Sequence, residues 1–149
     1  MSGAVRGWSL ATAVAGVVVA ADQATKQLVV ASLDRGETRN VFFAIDLTYT
    51  RNKGVAFGAL GKGGTLVTLL TIAAVALLAV YFALHASRPA LWLPVGMVAG
   101  GALGNLADRA REGSVIDFID PMLWPAFNLA DAAIVLGILG LLYVIEGKR

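Results

Sequence analysis

The stretch TLVTLLTIAAVALLAVYFAL, residues 65–84, decides the class of fold, because twenty consecutive residues carry no charge. Crossing the hydrocarbon core of a bilayer takes roughly 20 apolar residues in a helix. Lipid offers the backbone no hydrogen-bond partners, so a helix is the form such a stretch must take. Three further apolar stretches lie on either side of it. Trp8–Ala31 precedes it, with Asp22 and Lys26 interrupting its last turns. Leu91–Ala107 follows and is rich in Gly and Ala, and Asn128–Ile145 comes last, with Asp131 near its start. The first stretch has the charged start and apolar middle of a cleaved secretory signal. It lacks a small-x-small exit into soluble sequence, so it is read as a retained span.

Composition agrees. The chain of 149 residues is 58% hydrophobic and 15% charged, with a mean hydropathy of +0.75. A soluble domain carries about a quarter charged residues, and too little polar surface remains here to coat a water-soluble core. The absence of Cys excludes disulfides, thiol nucleophiles and thiolate metal sites, and a single His excludes a polyhistidine site. The net charge of +2 is dispersed, and no basic run points to nucleic acid. The expectation is an all-α polytopic membrane protein: one membrane-embedded domain over 1–149, four transmembrane helices, and a small β-rich loop subdomain at about 32–64. Val41–Thr50 is rich in β-branched and aromatic residues and partly alternates, which predicts a strand or hairpin on the membrane surface. Arg51-Asn52-Lys53-Gly54 then turns the chain.

Four spans put both termini on one side, together with the 85–90 link. The 32–64 and 111–127 links lie on the far side. Nine of the ten acidic residues then fall at the far face, Glu146 being the exception. Lys and Arg number four on the terminal side (Arg6, Arg88, Lys148, Arg149) and eight on the far side. Taken raw, that count points the termini outward, although far-side cations engaged in pairs or a site weaken it.

Acidic residues within spans are costly and mark function. Asp131 lies three residues after Asn128, the spacing of a helix-capping pair. A cap alone does not account for a second carboxylate, Asp117, which sits between Ile116 and Phe118, where apolar neighbours raise its pKa. Two adjacent carboxylates share one proton. One can then accept a proton from water while the other donates to a carbonyl oxygen. The alternative for Asp117 is a pair with Arg109 or Arg111. Asn105, Asp108 and Arg109 fall roughly on one helix face, where Asp108 and Arg109 are either an end-of-helix ion pair or part of a site. Gly100 and Gly104, four apart, suit close helix packing. Asp22 and Lys26 have the i,i+4 spacing of a structural salt bridge. His85 lies on the opposite side. Ser114 with Lys53 or Lys62 is the remaining, serine–lysine, alternative.

Taken together, these residues resemble the lipoprotein signal peptidases, the type II signal peptidases of bacteria (aspartic peptidase family A8). Five segments carry the likeness in order over nearly the whole chain: Asp22–Lys26, Asn52–Gly58, Gly100–Arg109, Val115–Phe118 and Phe127–Asp131. The resemblance implies an aspartic endopeptidase with Asp117 and Asp131 as the catalytic pair. Its substrate would be a prolipoprotein bearing diacylglycerol on its lipobox Cys, cut just before that Cys. Asn52, Gly54, Asn105, Arg109 and Asn128 would bind substrate or surround the pair, and Asp22, Lys26 and Asp108 would support them. It further implies a monomer with no metal or cofactor, in contact with membrane lipids, both termini in the cytoplasm and the site near the outer leaflet of the bacterial cytoplasmic membrane. The far loop, with Phe42, Phe43 and Phe57, would rest on the interface and gate access. The compact link to Asp131 holds Pro121 and Pro125. A proton or ion transporter would instead carry charge at mid-membrane or on both faces, and a scaffold would tolerate replacement of Asp117.

Overall fold

A computed structural model describes residues 2–54 and 63–147. In chain order the elements are α1 (Gly3–Ser32), β1 (Thr38–Phe42), β2 (Ile45–Asn52), α2 (Gly63–His85), α3 (Trp92–Glu112), β3 (Val115–Pro121) and α4 (Leu129–Glu146). Phe57 and Lys62, named above for gating and for a lysine base, lie outside the described residues.

Each apolar stretch forms a helix. α1, α2 and α4 are long and apolar enough to cross a membrane. Their outer surfaces are apolar too: Leu69, Leu77 and Leu84 of α2 and Val135, Leu139 and Tyr143 of α4 are all exposed. Such continuous apolar faces suit lipid as solvent. α3 differs. It packs against all three other helices, and it runs on past Ala107, the expected end, to Glu112, so that Asp108, Arg109 and Arg111 stand on its last turns. Gly113, at φ +66°, ends it in the left-handed conformation that favours glycine.

Small residues on α3 permit the close approach. A Cβ at Gly100 would stand 2.8 Å from the carbonyl oxygen of Ala15 in α1, and one at Gly104 would stand 2.6 Å from Oδ2 of Asp22. α3 is therefore gripped between α1 and α4, which brings polar side chains of all three helices to one level. One core cluster, around Ala11, Phe82, Ala86, Leu91 and Val95, closes the terminal end. The other, around Val29, Leu33, Tyr49, Ile116 and Phe118, seats the sheet on the far end of α1.

The expected hairpin is present as β1 and β2, with Thr38 opposite Thr48 and an irregularity between Asn40 and Phe42. The far-side segments differ from expectation in two respects. Arg51 and Asn52, expected to turn the chain, instead continue β2. The 111–127 link is not loop alone: β3 pairs antiparallel with β2, giving a three-stranded sheet in the order β1-β2-β3. The all-α description is corrected accordingly, to a helical bundle capped by a sheet drawn from both far-side links. A run of β-branched and aromatic residues bounded by Gly113 and Pro121 satisfies the ladder that β2 would otherwise leave open. The register sets Thr50 opposite Asp117 and Asn52 opposite Val115.

Candidate active site

The site begins where β3 meets α4. Phe127 bonds back onto β3: its carbonyl accepts from Phe118 N at 3.0 Å and from Ile119 N at 2.9 Å, and its own N donates to Ile119 O at 2.9 Å. The first turn of α4 is thus fixed to the strand that carries Asp117. Asn128 then caps the helix. Its Oδ1 accepts from Asp131 N at 2.9 Å, and Asp131 Oδ2 accepts from Asn128 N at 3.2 Å. This is the reciprocal capping box that the spacing predicts.

Capping uses only one oxygen of Asp131. Its Oδ1 accepts from Asn105 Nδ2 of α3 at 2.7 Å. Asp117 is served by two amides: Asn128 Nδ2 donates to its Oδ1 at 2.8 Å and Asn52 Nδ2 to its Oδ2 at 3.1 Å. One residue, Asn128, therefore binds both carboxylates. It is completely buried, and Asp117 is 3% exposed. Gly54, at φ +79°, donates its N–H to Asn52 Oδ1 at 2.7 Å, which turns the amide so that Nδ2 faces Asp117.

A second, ionic layer lies behind the amides. Lys26, 1% exposed, contacts Asp22 Oδ2 at 2.8 Å and Asp108 Oδ2 at 2.7 Å. It also donates to Asn105 Oδ1 at 3.1 Å, an oxygen shared with Asn128 Nδ2 at 3.1 Å. The two carboxylates reach onward to backbone. Asp22 Oδ1 accepts from Ala130 N at 3.0 Å, and Asp108 Oδ2 accepts from Ile116 N at 3.4 Å. The residue before each member of the Asp117/Asp131 pair is thereby tied to this cluster.

Burial pushes the Asp117 carboxyl up to about 6. The Asn52 hydrogen bond opposes the rise, the Asp131 charge adds to it, and Asn128 and Lys26 pull back. Asp131 is half-buried and borders a pocket of about 390 Å³ lined by Trp124, Phe127, Ala132, Val135 and Leu136. Asp131 thus opens onto an apolar groove, while Asp117 lies buried behind it.

Eight of the nine sequence-predicted side chains converge here, and Gly54 holds one of them. Arg109 is the exception. It is half-buried and has no ion pair among the described residues. The Asp108–Arg109 pair does not form, because neighbours in a helix do not face each other and Asp108 points to Lys26. Asp117 pairs with neither Arg109 nor Arg111, whose Nη2 donates to Gln23 Oε1 at 2.7 Å. Gln23 escaped sequence reasoning. Its Nε2 donates to Asp108 Oδ1 at 2.9 Å, Asp22 Oδ2 at 3.1 Å and Gly104 O at 3.3 Å, closing the ionic layer. An uncharged polar residue beside Asp22 in an apolar stretch was the available signal. Ser114 is buried and turned to Glu112 O at 3.5 Å, with no lysine bonded to it among the described residues. His85 stacks on Tyr81 at the opposite end.

A family model described as signal peptidase (SPase) II matches residues 14–146. The lipoprotein signal peptidase of Pelotomaculum thermopropionicum is 48% identical over 123 residues, 81% of each chain. That of Moorella thermoacetica is 42% identical over 125 residues, 83% of each chain. A solved structure described as a bacterial membrane enzyme superposes with a TM-score of 0.80 at 29% identity, covering 93% of this chain and 94% of that one. With membrane-length helices, a far-face sheet and a match over nearly its whole length, the chain belongs to the signal peptidase II family of bacterial membrane proteases.

Proposed function

We propose that this chain is an aspartic endopeptidase that removes the signal peptide from diacylglyceryl-modified prolipoproteins by cleaving just before the lipidated Cys. The observation that carries the reading is the Asp117–Asn128–Asp131 bridge, in which both carboxylates receive neutral amide donors and, among the described residues, neither has an ion-pair partner. Two neighbouring carboxylates can share one proton. Burial favours the protonated form of Asp117, so Asp117 serves as the acid and Asp131 as the base. Asp131 takes a proton from a water whose oxygen attacks the scissile carbonyl carbon. Asp117 gives its proton to the carbonyl oxygen. The tetrahedral diol collapses when Asp131 returns its proton to the amide nitrogen and a diol hydroxyl reprotonates Asp117, breaking the C–N bond.

Asn105 and Asn128 have their amides committed to the carboxylates and serve to orient them. Arg109 is left to meet the substrate backbone, and Asn52, exposed and bonded to both Asp117 and Gly54, borders it at the open edge. The groove beside Asp131 suits an acyl chain or apolar signal residue arriving sideways from the bilayer. In this reading α3 is a fourth span and both termini are cytoplasmic. The pair lies near the outer leaflet, where an exported substrate is met, and the enzyme acts as a monomer without cofactor. Phe42 and Phe43, 70% and 92% exposed at the hairpin tip, rest on the interface and gate access.

The test is cleavage of a diacylglyceryl-modified prolipoprotein by the purified full chain. Asp117→Asn and Asp131→Asn keep shape and lose the titrating oxygen, so each should reduce kcat by about 10²–10⁴-fold with the fold intact, and chelator should leave the rate unchanged. Variants that cleave like wild type would reduce the aspartates to cap and strand residues and overturn the mechanism.

A further inference from the structure

The end of the molecule opposite the carboxylate pair holds a second polar concavity. The start of α1 lies against the α2–α3 link, so closely that a Cβ on Gly7 would overlap the carbonyl oxygen of Ala86. Beside this contact is a pocket of about 360 Å³ lined by Arg6, Leu10, Ser87, Arg88 and Trp92 among others. Two arginines thus border one hollow. Among the described residues neither has a carboxylate within ion-pair distance; at the far face Lys26 has two and Arg39 and Arg51 one each, while Arg35, Lys53, Arg109 and Arg111 have none. The Arg88 hydrogen bond is to the Tyr81 hydroxyl at 3.4 Å. Glu146 is the only acidic residue in the sequence outside the far face.

Two like charges at one hollow repel each other, and an anion between them turns that cost into attraction. The depth of the pocket fixes what kind of anion. α1 begins, α2 ends and α3 begins at this level, and Trp8, Tyr81 and Trp92 are the aromatic residues that favour a membrane–water interface. The rim is cationic and carries the Ser87 hydroxyl, while Leu10 and Trp92 supply apolar wall. We infer that this pocket binds the phosphodiester headgroup of an anionic phospholipid: the guanidinium groups of Arg6 and Arg88 take the phosphate, and the first acyl carbons lie on Leu10 and Trp92. A choline headgroup would bring its own cation against two arginines, so a headgroup of the phosphatidylglycerol type is preferred. The inference does not depend on which leaflet this end faces.

The experiment uses delipidated full-length protein in neutral detergent, titrated with dioctanoyl phosphatidylglycerol, with bound lipid counted by native mass spectrometry. Each arginine near an anionic lipid surface contributes about 1 kcal/mol, so Arg6→Gln/Arg88→Gln should bind roughly 30-fold more weakly while cleaving substrate in detergent at the wild-type rate. That retained cleavage also shows the variant is folded. Dioctanoyl phosphatidylcholine should bind wild type more weakly than phosphatidylglycerol. The far-face double variant Arg35→Gln/Arg39→Gln should bind like wild type. Equal binding by wild type and Arg6→Gln/Arg88→Gln would overturn the site. An equal loss in the far-face variant would reduce the effect to net charge and overturn it as well. Displacement of the lipid by millimolar inorganic phosphate would make the hollow a free-anion site rather than a lipid site.

Discussion

Replacing Asn52 with Ala should extend activity to higher pH. Asn52 Nδ2 donates to Asp117 Oδ2 at 3.1 Å, and a donor favours the ionised form. Burial raises Asp117 to about 6, and the Asn52 bond is the largest influence holding it down. Without that bond the carboxyl keeps its proton to higher pH. The active pair needs one proton, so the alkaline limb of kcat/KM must move up. A hydrogen bond to a charged group contributes about 1.5–3 kcal/mol, and one pH unit corresponds to about 1.36 kcal/mol. Asn52 itself is exposed, so water replaces part of what is lost, and roughly half of the smaller figure to half of the larger is the reasonable range. The limb should rise by roughly 0.5–1 pH unit, from about 6 toward 7 in the free enzyme. The assay is kcat/KM for a lipidated prolipoprotein reporter in mixed micelles between about pH 4.5 and pH 9, with the catalytic pair intact. A raised KM with an unmoved limb would mean that Asn52 serves the substrate alone. A limb moving to lower pH would refute the electrostatic account of the site.

Three further outcomes follow from the packing. Lys26→Met leaves Asp22 and Asp108 buried without their cation, a loss of about 3–5 kcal/mol. Tm in detergent should fall sharply, and Lys26→Met/Asp108→Asn should recover part of it; an unchanged Tm would contradict the buried cluster. Gly104→Ala puts a methyl 2.6 Å from Asp22 Oδ2, so it should cost about 1–3 kcal/mol and slow cleavage, while Gly16→Ala, with nothing within 4 Å, should be neutral or gain up to about 1 kcal/mol. Met122 N donates to Ala44 O at 2.9 Å, so Ala44→Cys with Met122→Cys can tether the hairpin tip to the end of β3. Oxidation should slow turnover and reduction restore it, and equal turnover in both states would end the gating proposal.

The helices were legible because lipid imposes a long apolar run on each, and the α4 cap was legible because Asn128 and Asp131 are local to one another. The Asp22–Lys26 contact was legible for the same reason. What sequence could not supply is what crosses between elements. The sequence leaves Asp108 between a pair with its neighbour Arg109 and a part in the site; it pairs with Lys26, because Gly100 and Gly104 let α3 lie directly on α1. β3 was read as loop because its alternation is short and its ladder partner, β2, is more than sixty residues away in sequence. Gln23 is polar within an apolar stretch, but its lack of charge leaves its partners Asp22, Asp108 and Arg111 unspecified in the sequence. Arg109 stands on the last turns of α3 with no ion pair among the described residues; a partner outside the chain is not written in its sequence.

The layering of charge at the site follows from what a proton-sharing pair requires. A lysine or arginine in contact with either carboxylate would favour its ionised form and strip the pair of its proton. Among the described residues, every side-chain donor bonded to either carboxylate is instead an asparagine amide: Asn52, Asn105 and Asn128. The buried cation stands one amide away and is itself occupied by Asp22 and Asp108, which fits its place as the last of the influences on Asp117. What Lys26 does transmit is orientation. Its bond to Asn105 Oδ1 leaves Asn105 Nδ2 no direction but toward Asp131, and the two aspartates it neutralises grip Ala130 N and Ile116 N, the backbone beside each carboxylate. The ionic contacts thus hold the pair in place, while burial raises the proton affinity of Asp117 and the neutral amides of Asn52 and Asn128 temper it.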